Sequence, residues 1–197
     1  MGYSQAQKAE SRQRVLDVAA RQIREHGLES LGVADCMRQA GLTHGAFYGH
    51  FSSREALIVA ALEHAVAQSK ARIATLRGGA ANGEGKEAAQ APLRAIAEAF
   101  LSERHLNNPG EGCALCALAG EARYATPEVR DRLTHYVESL TSQIAQTLAS
   151  KNASVALGIV ATIIGTVTIA RAVDSDALAK SMLDASLALI MSAQNQL

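Results

Sequence analysis

Two stretches of this sequence concentrate side chains able to do chemistry. The first, Leu42 to Phe51 (LTHGAFYGHF), holds Phe47, Tyr48 and Phe51 with His44 and His50, in a chain that is only 4% aromatic. Read as a helix, it has Thr43 as N-cap, a hydroxyl that accepts from an orphan N–H of the first turn. Leu42 and Phe47 take the two positions of a hydrophobic staple. Phe47 and Phe51 are four apart and share the inward face. His44, Gly45, Tyr48 and, at the edge, His50 stay outside. A helix that shows small, flat and polar groups can approach another surface closely, and the major groove of DNA admits such a helix.

The second stretch is Cys113 to Tyr124 (CALCALAGEARY), where Cys113 and Cys116 form a CxxC pair on one face of a short helix. Cys113 would open that helix, where the dipole favours a thiolate. One reading is a redox or electrophile sensor, in which oxidation or alkylation distorts the helix. The other is a pair of small buried side chains in a helical core, since free cysteine is among the most buried residue types. A metal site would need two more ligands, and no second pair at suitable spacing follows. A thioredoxin-like role would need a βαβ context, which is absent. Cys36 falls at a core position and reads as structural.

The elements that must hold these groups are helical. Alanine and leucine dominate, three prolines occur in 197 residues, and 48% of the chain is hydrophobic. That composition favours helix and supplies a core. Formal net charge is zero, so DNA binding must rest on where charges sit rather than on bulk charge. No general acid–base pair, glycine-rich phosphate loop or nucleophile elbow appears, so enzyme readings are weak and no cofactor or metal is expected. The polar start of the chain lacks a signal-peptide core, and the odd cysteine count fits a reducing cytoplasm.

Helical spacing predicts a first helix over 8–26 ended by Gly27, and a second over 33–40 with Gly32 as N-cap. The helix opening at Thr43 comes third. Two short helices joined through Gly41 make a helix-turn-helix. A fourth helix to about Leu76 starts at a Ser52/Glu55 capping box. Arg77 to Ala91 reads as a loop or frayed boundary. Pro92 suits the first turn of a fifth helix. A sixth covers 113–124, and a seventh, with Thr126 as cap and Pro127 at its first position, runs to about Ser150. Helix 8 is capped by Ser154 and reaches about Val173; helix 9 is capped by Ser175 or Asp176. The apolar run Val155 to Ala170 is short of the ~20 residues of a membrane span and reads as a helix buried in the core or between subunits, with no membrane involved. The fold class is all-α, with about nine helices.

Residues 12–62 resemble the N-terminal domain of TetR/AcrR-family transcriptional repressors. The likeness is carried by Arg14, Leu16, Ala19, Ala20, Gly27, Val33, Ala40-Gly41-Leu42, Gly45, Phe47-Tyr48, His50-Phe51 and Arg54-Glu55-Ala56-Leu57. Pro109 to Arg123 (PGEGCALCALAGEAR) is similar to a subgroup that pairs a THG-type recognition helix with a glycine-cysteine step opening helix 6. The resemblance implies a helix-turn-helix DNA-binding domain over 1–55 and an effector-binding and dimerisation domain over 56–197. It implies a cytoplasmic homodimer through helices 8 and 9, bound to palindromic double-stranded operator DNA and released by a small-molecule effector of unknown identity. DNA contacts carry over to Thr43, His44, Gly45, Tyr48, Gly49 and His50 of the recognition helix. Tyr48 and Arg54 match phosphate contacts, and Arg38 of the second helix is available for base readout. Effector contacts are assigned by position to Phe100, Arg104, Tyr124, His135 and Tyr136, with Cys113 and Cys116. The fourth helix is expected to transmit the signal. The alternative function is a thiol-based redox- or electrophile-sensing regulator, or a thiol-active protein, acting through Cys113 and Cys116.

Overall fold

The computed structural model describes residues 5–80 and 86–195, and among them every regular element is helical. Nine α-helices and four short 3₁₀ turns follow one another in this order. α1 spans Gln5–His26, α2 Val33–Gln39, α3 Arg54–Ala80, α4 Lys86–Phe100 and α5 Glu103–Asn107. α6 is Ala114–Leu118, α7 Pro127–Ala145, α8 Ala153–Ala170 and α9 Asp176–Asn195. The 3₁₀ turns are Leu28–Ser30, His44–Gly49, Pro109–Glu111 and Ala122–Tyr124.

The N-terminal layer is built on α1. Val15, Ala19, Ala20 and Ile23 recur at helical spacing and are fully buried. Gly27 ends the helix with φ 87°, and its amide bonds to the Ile23 carbonyl at 2.9 Å. That backbone favours glycine, and a β-carbon there would stand 2.5 Å from the Glu121 carboxylate and displace it. Gly41, at φ 74°, turns the chain from α2 into the third element.

α3 is 27 residues long, about 40 Å by helical rise, and packs on α1, α4 and α7. α8 lies against α6, α7 and α9. Its Ala156, Ile159, Val160, Ile163 and Val167 are buried, and Thr166 and Ser186 share a 2.7 Å hydrogen bond that ties it to α9. It is the one described helix long and apolar enough to cross a membrane. Here its buried stripe is part of the helical core, while Leu157 and Ile169 face outward.

Several boundaries depart from the sequence expectation. Arg77–Ala80 continues α3 and Lys86–Ala91 opens α4, so the expected loop is largely helix; residues 81–85 of that stretch lie outside the described residues. Alanine, glutamate and glutamine carry strong helix propensity, and packing of α3 on α4 offsets the cost of Gly78 and Gly79. Pro92 therefore sits inside α4, not at its first turn. The expected sixth helix stops at Leu118 and resumes as a 3₁₀ turn, and the seventh ends at Ala145. Two caps also move by a residue or two. Ser53, not Ser52, accepts from Ala56 N–H at 3.0 Å. Asn152, not Ser154, accepts from Ser154 and Val155 N–H, at 2.9 and 3.3 Å. Thr126 and Ser175 cap as expected.

Candidate nucleic-acid interface and buried thiol centre

The third element is not an α-helix but a 3₁₀ stretch, His44–Gly49. Thr43 stands at its N-cap with extended backbone, yet its side chain makes no capping bond; only its carbonyl accepts, from Ala46 N–H at 3.1 Å. A 3₁₀ turn stacks i and i+3 more tightly than an α-helix. The division of the aromatics survives this change. Phe47 is 2% exposed and Tyr48 is 74% exposed. Phe47 stacks on Phe51 at 5.9 Å and meets the Tyr48 ring edge-on at 5.2 Å. The Arg12 guanidinium covers Phe51 from outside, 4.5 Å from the ring centre.

Thr43, His44, Gly45, Tyr48 and Gly49 form one exposed face. His50 turns partly inward: its Nε2 lies 3.4 Å from Ser11 Oγ, and burial, with Lys8 and Arg12 nearby, holds its pKa down. Arg38 is exposed and paired with Asp35 of its own helix. Arg54 is committed to the protein. It donates to the carbonyls of Leu31 at 2.9 Å, Glu29 at 2.9 Å and Leu28 at 3.3 Å, so it pins the turn after α1 to the start of α3. Three carbonyl bonds on one planar fork leave little of it for an outside partner.

The sequence-assigned effector residues do not line one cavity; they divide among three places. Tyr124 is on the surface, 76% exposed, under the Arg123 guanidinium. His135 is also outside, 3.5 Å from the Asp131 carboxylate and 3.1 Å from that of Glu138. Together with Tyr136 it lines a groove of about 230 Å³ between α3 and α7. The break after α6 carries Tyr124 away, and neighbours on a helix point about 100° apart, so His135 cannot follow Tyr136 inward. Cys113 does come together with Tyr136 and Phe100, with buried Cys116 three residues on, and Arg104 stands at the rim of an adjoining hollow of about 280 Å³.

That inner group is organised by His105, which the sequence reading missed. His105 Nδ1 lies 2.7 Å from the Phe100 carbonyl, and the Cys113 N–H donates to its Nε2 at 3.0 Å. The second bond requires an unprotonated Nε2, so Nδ1 carries the proton and the ring is neutral. Burial lowers its pKa to about 4, against the ordinary 6.5, with Arg171 and Arg72 adding to the effect and the Phe100 bond opposing it. The sign follows from linkage. The folded value lies below the unfolded one, so the unfolded chain binds the extra proton between pH 6.5 and about 4. The contribution of neutral His105 is complete above pH 6.5 and is lost as pH falls through that window, by up to about 3 kcal/mol. Denaturant unfolding followed across this pH range should show the slope, and His105→Asn should flatten it.

Cys113 Sγ lies 3.3 Å from the Tyr136 hydroxyl. Burial works against its ionisation, but the Cys116 thiol, the Tyr136 hydroxyl and the amides of Cys116 and Leu115 donate to it and bring its pKa below the ordinary thiol range. Cys116 moves the opposite way, because it is the donor in that pair and is buried. Cys36 lacks such donors, and burial with Asp35 beside it raises it to about 11.

A second set of contacts ties this centre to α1. Arg24, buried, donates to the Gly110 carbonyl at 2.8 Å and to Gln68 Oε1 at 3.0 Å. Arg21 reaches Glu111 at 3.5 Å. Glu121 Oε2 accepts from Leu28 N–H at 2.9 Å. The stretch 109–121 is thus attached at both ends to the C-terminal end of α1 and the turn that follows it. Arg24 was legible only as a charge on the first helix; its partner lies 86 residues away.

Comparison with known proteins agrees with this geometry. Residues 15–61 match the profile of bacterial regulatory proteins of the tetR family. Over 65 residues the chain is 37% identical to an uncharacterized HTH-type transcriptional regulator, YvdT, of Bacillus subtilis (strain 168); the match spans 31% of this chain and 34% of that relative. Across nearly the whole chain the fold is that of solved regulators. A TetR transcriptional regulator from Chloroflexus aurantiacus J-10-FL superposes with a TM-score of 0.79, at 23% identity over 97% of both chains. E. coli NemR, in its reduced form, superposes at 0.76, with 19% identity over 92% of this chain and 95% of that one.

Proposed function

We propose that the chain is a dimeric, effector-released transcriptional repressor of the TetR family, whose profile matches residues 15–61. The observation that carries the proposal is the split between neighbours on the third element: Phe47 is buried while Tyr48, with His44 and Thr43, stands on an open face. Burying 47 holds the turn; exposing 48 leaves a ring and a hydroxyl for a phosphate. Residues 1–55 form the reading head and residues 56–197 the effector-binding and dimerisation part.

The dimer is assigned to α8 and α9. Leu157 and Ile169 of α8, with Leu178 and Leu189 of α9, are large exposed apolar side chains, and exposed apolar patches of this kind mark interfaces, most often two-fold ones. Two recognition turns so paired must enter successive major grooves about 34–36 Å apart. An effector that prefers a subunit shape with another spacing lowers DNA affinity by its differential affinity for the two shapes. The hollow rimmed by Arg72 and Arg104 is the effector site, reached from the cytoplasm.

The test is equilibrium binding of the reduced protein to a palindromic fragment from upstream of its own reading frame, as a function of salt. Two chains per site and an affinity that falls with salt are expected. Tyr48→Phe removes a hydroxyl but no charge, so it should weaken binding about threefold to tenfold with the salt slope unchanged. Binding by Tyr48→Phe equal to wild type would remove Tyr48 from the interface.

A further inference from the structure

We infer that Cys113 and Cys116 form a peroxide-reactive dithiol, in which a small hydroperoxide oxidises Cys113 and Cys116 closes the disulfide. Three features carry it. The two cysteines stand three residues apart at the start of α6, both buried in the same core. Cys113 lies just before α6, with extended backbone at φ −71° and ψ 131°, so its side chain can turn onto Cys116 without unwinding a helical residue. The thiol is 2% exposed but is not sealed. A hole of about 20 Å³, lined by Ser69, Phe100 and Cys113 with Arg72 and His105, abuts it. Arg72, Ala99 and His105 also line the open hollow of about 280 Å³, so the hole beside the sulfur adjoins a hollow open to solvent.

The size of the hole selects the reagent. A volume near one probe sphere admits a molecule of water size, which suits hydrogen peroxide and excludes bulky electrophiles. The Cys113 thiolate attacks one peroxide oxygen. The O–O bond breaks, an S–O bond forms, and hydroxide leaves, taking up the proton released when the thiolate formed. The Cys116 thiol then attacks the sulfenic sulfur, forming S–S and expelling the oxygen as a second water. Two thiols are oxidised by two electrons and one peroxide is reduced to two waters.

The consequence for DNA follows from what Cys113 gives up. Turning toward Cys116 takes Sγ away from Tyr136 and disturbs the Cys113 N–H bond to His105. The same stretch holds α1 through Arg24–Gly110 and Glu121–Leu28. A shift there reaches the reading head directly. This consequence rests on the regulator reading; the thiol chemistry does not.

The experiment treats the reduced full-length protein with hydrogen peroxide in modest excess and reads intact mass and peptide map. One tryptic peptide, His105 to Arg123, carries both cysteines. In wild type that peptide should lose two hydrogens, recovered with dithiothreitol, while Cys36 stays a thiol. Cys116→Ser should stop at the sulfenic acid, one oxygen heavier on Cys113 and captured by dimedone present as the oxidised protein is unfolded in denaturant. Cys113→Ser, with its circular dichroism matched to wild type, should leave Cys116 unmodified. An unmodified wild-type peptide, or Cys36 reacting as fast as Cys113, overturns the proposal. So does a Cys116→Ser protein that takes up no dimedone. In a parallel arm, oxidised wild type should lose operator affinity by about tenfold or more and Cys113→Ser should keep it. A disulfide without that loss overturns the coupling to DNA. Failure of reduced wild type to bind any operator would instead count against the regulator reading, and the mass result would stand apart from it.

Discussion

Phe47→Ala should unfold the reading head at temperatures where the wild type binds DNA. Phe47 is 2% exposed and touches both other rings of its stretch. Truncating a buried phenylalanine costs about 3–5 kcal/mol, the transfer term plus the cavity left behind. A 3₁₀ turn with no side-chain cap has little of its own to offset that loss. The predicted outcome is a lowered denaturation midpoint together with loss of operator binding. The control is its neighbour. Tyr48→Ala changes a side chain that is 74% exposed, so stability should stay within about 0.5 kcal/mol while DNA affinity falls. If Tyr48→Ala were as destabilising as Phe47→Ala, the two rings would share one structural role and the interface would lie elsewhere.

Arg24→Ala should cost about 3 kcal/mol, the second large effect. Its guanidinium is buried and bonded to the Gly110 carbonyl and to Gln68. Gln68 in turn donates to Asp17 at 3.3 Å, and His64 lies 2.6 Å from the same carboxylate. Hydrogen bonds from a charged donor contribute about 1.5–3 kcal/mol each, and removing the donor leaves buried acceptors unpaired. Arg24→Met separates the two contributions, because it keeps the aliphatic volume and loses the bonds. If the bonds matter most, both variants destabilise alike in denaturant titrations. The same bonds link the stretch 109–121 to α1, so Arg24→Met should also weaken the effect of any effector on DNA binding. A variant as stable and as responsive as wild type would show that the link carries no coupling.

Much of the architecture was readable because it is local. The stripe Val15, Ala19, Ile23, the stops at Gly27 and Gly41 and the cap at Thr126 each depend on residues a turn or two apart, and each recurs in the structure. The partition of Phe47 from Tyr48 is local too, since spacing alone puts 47 and 51 on one face. Local rules failed where packing overrode them. Gly78 and Gly79 stay helical against α4, and Pro92 sits within a helix. The candidate effector residues were spread apart for the same reason: position along α7 does not say which of His135 and Tyr136 faces the core.

The sequence by itself determined an all-helical chain with a helix-turn-helix at its start, an exposed Tyr48 on a buried Phe47, and a CxxC pair near a glycine turn. Those properties follow from side-chain type and short spacing. Tertiary structure decided the rest. It spent Arg54 on three backbone carbonyls, placed neutral His105 under Cys113, and gave Cys113 its Tyr136 partner from α7. It also attached the stretch 109–121 to α1 through Arg24 and Glu121. Each of these rests on a hydrogen bond whose partner lies between 8 and 93 residues away. Periodicity says which face of a helix turns inward, but not which donor from another helix will meet it there.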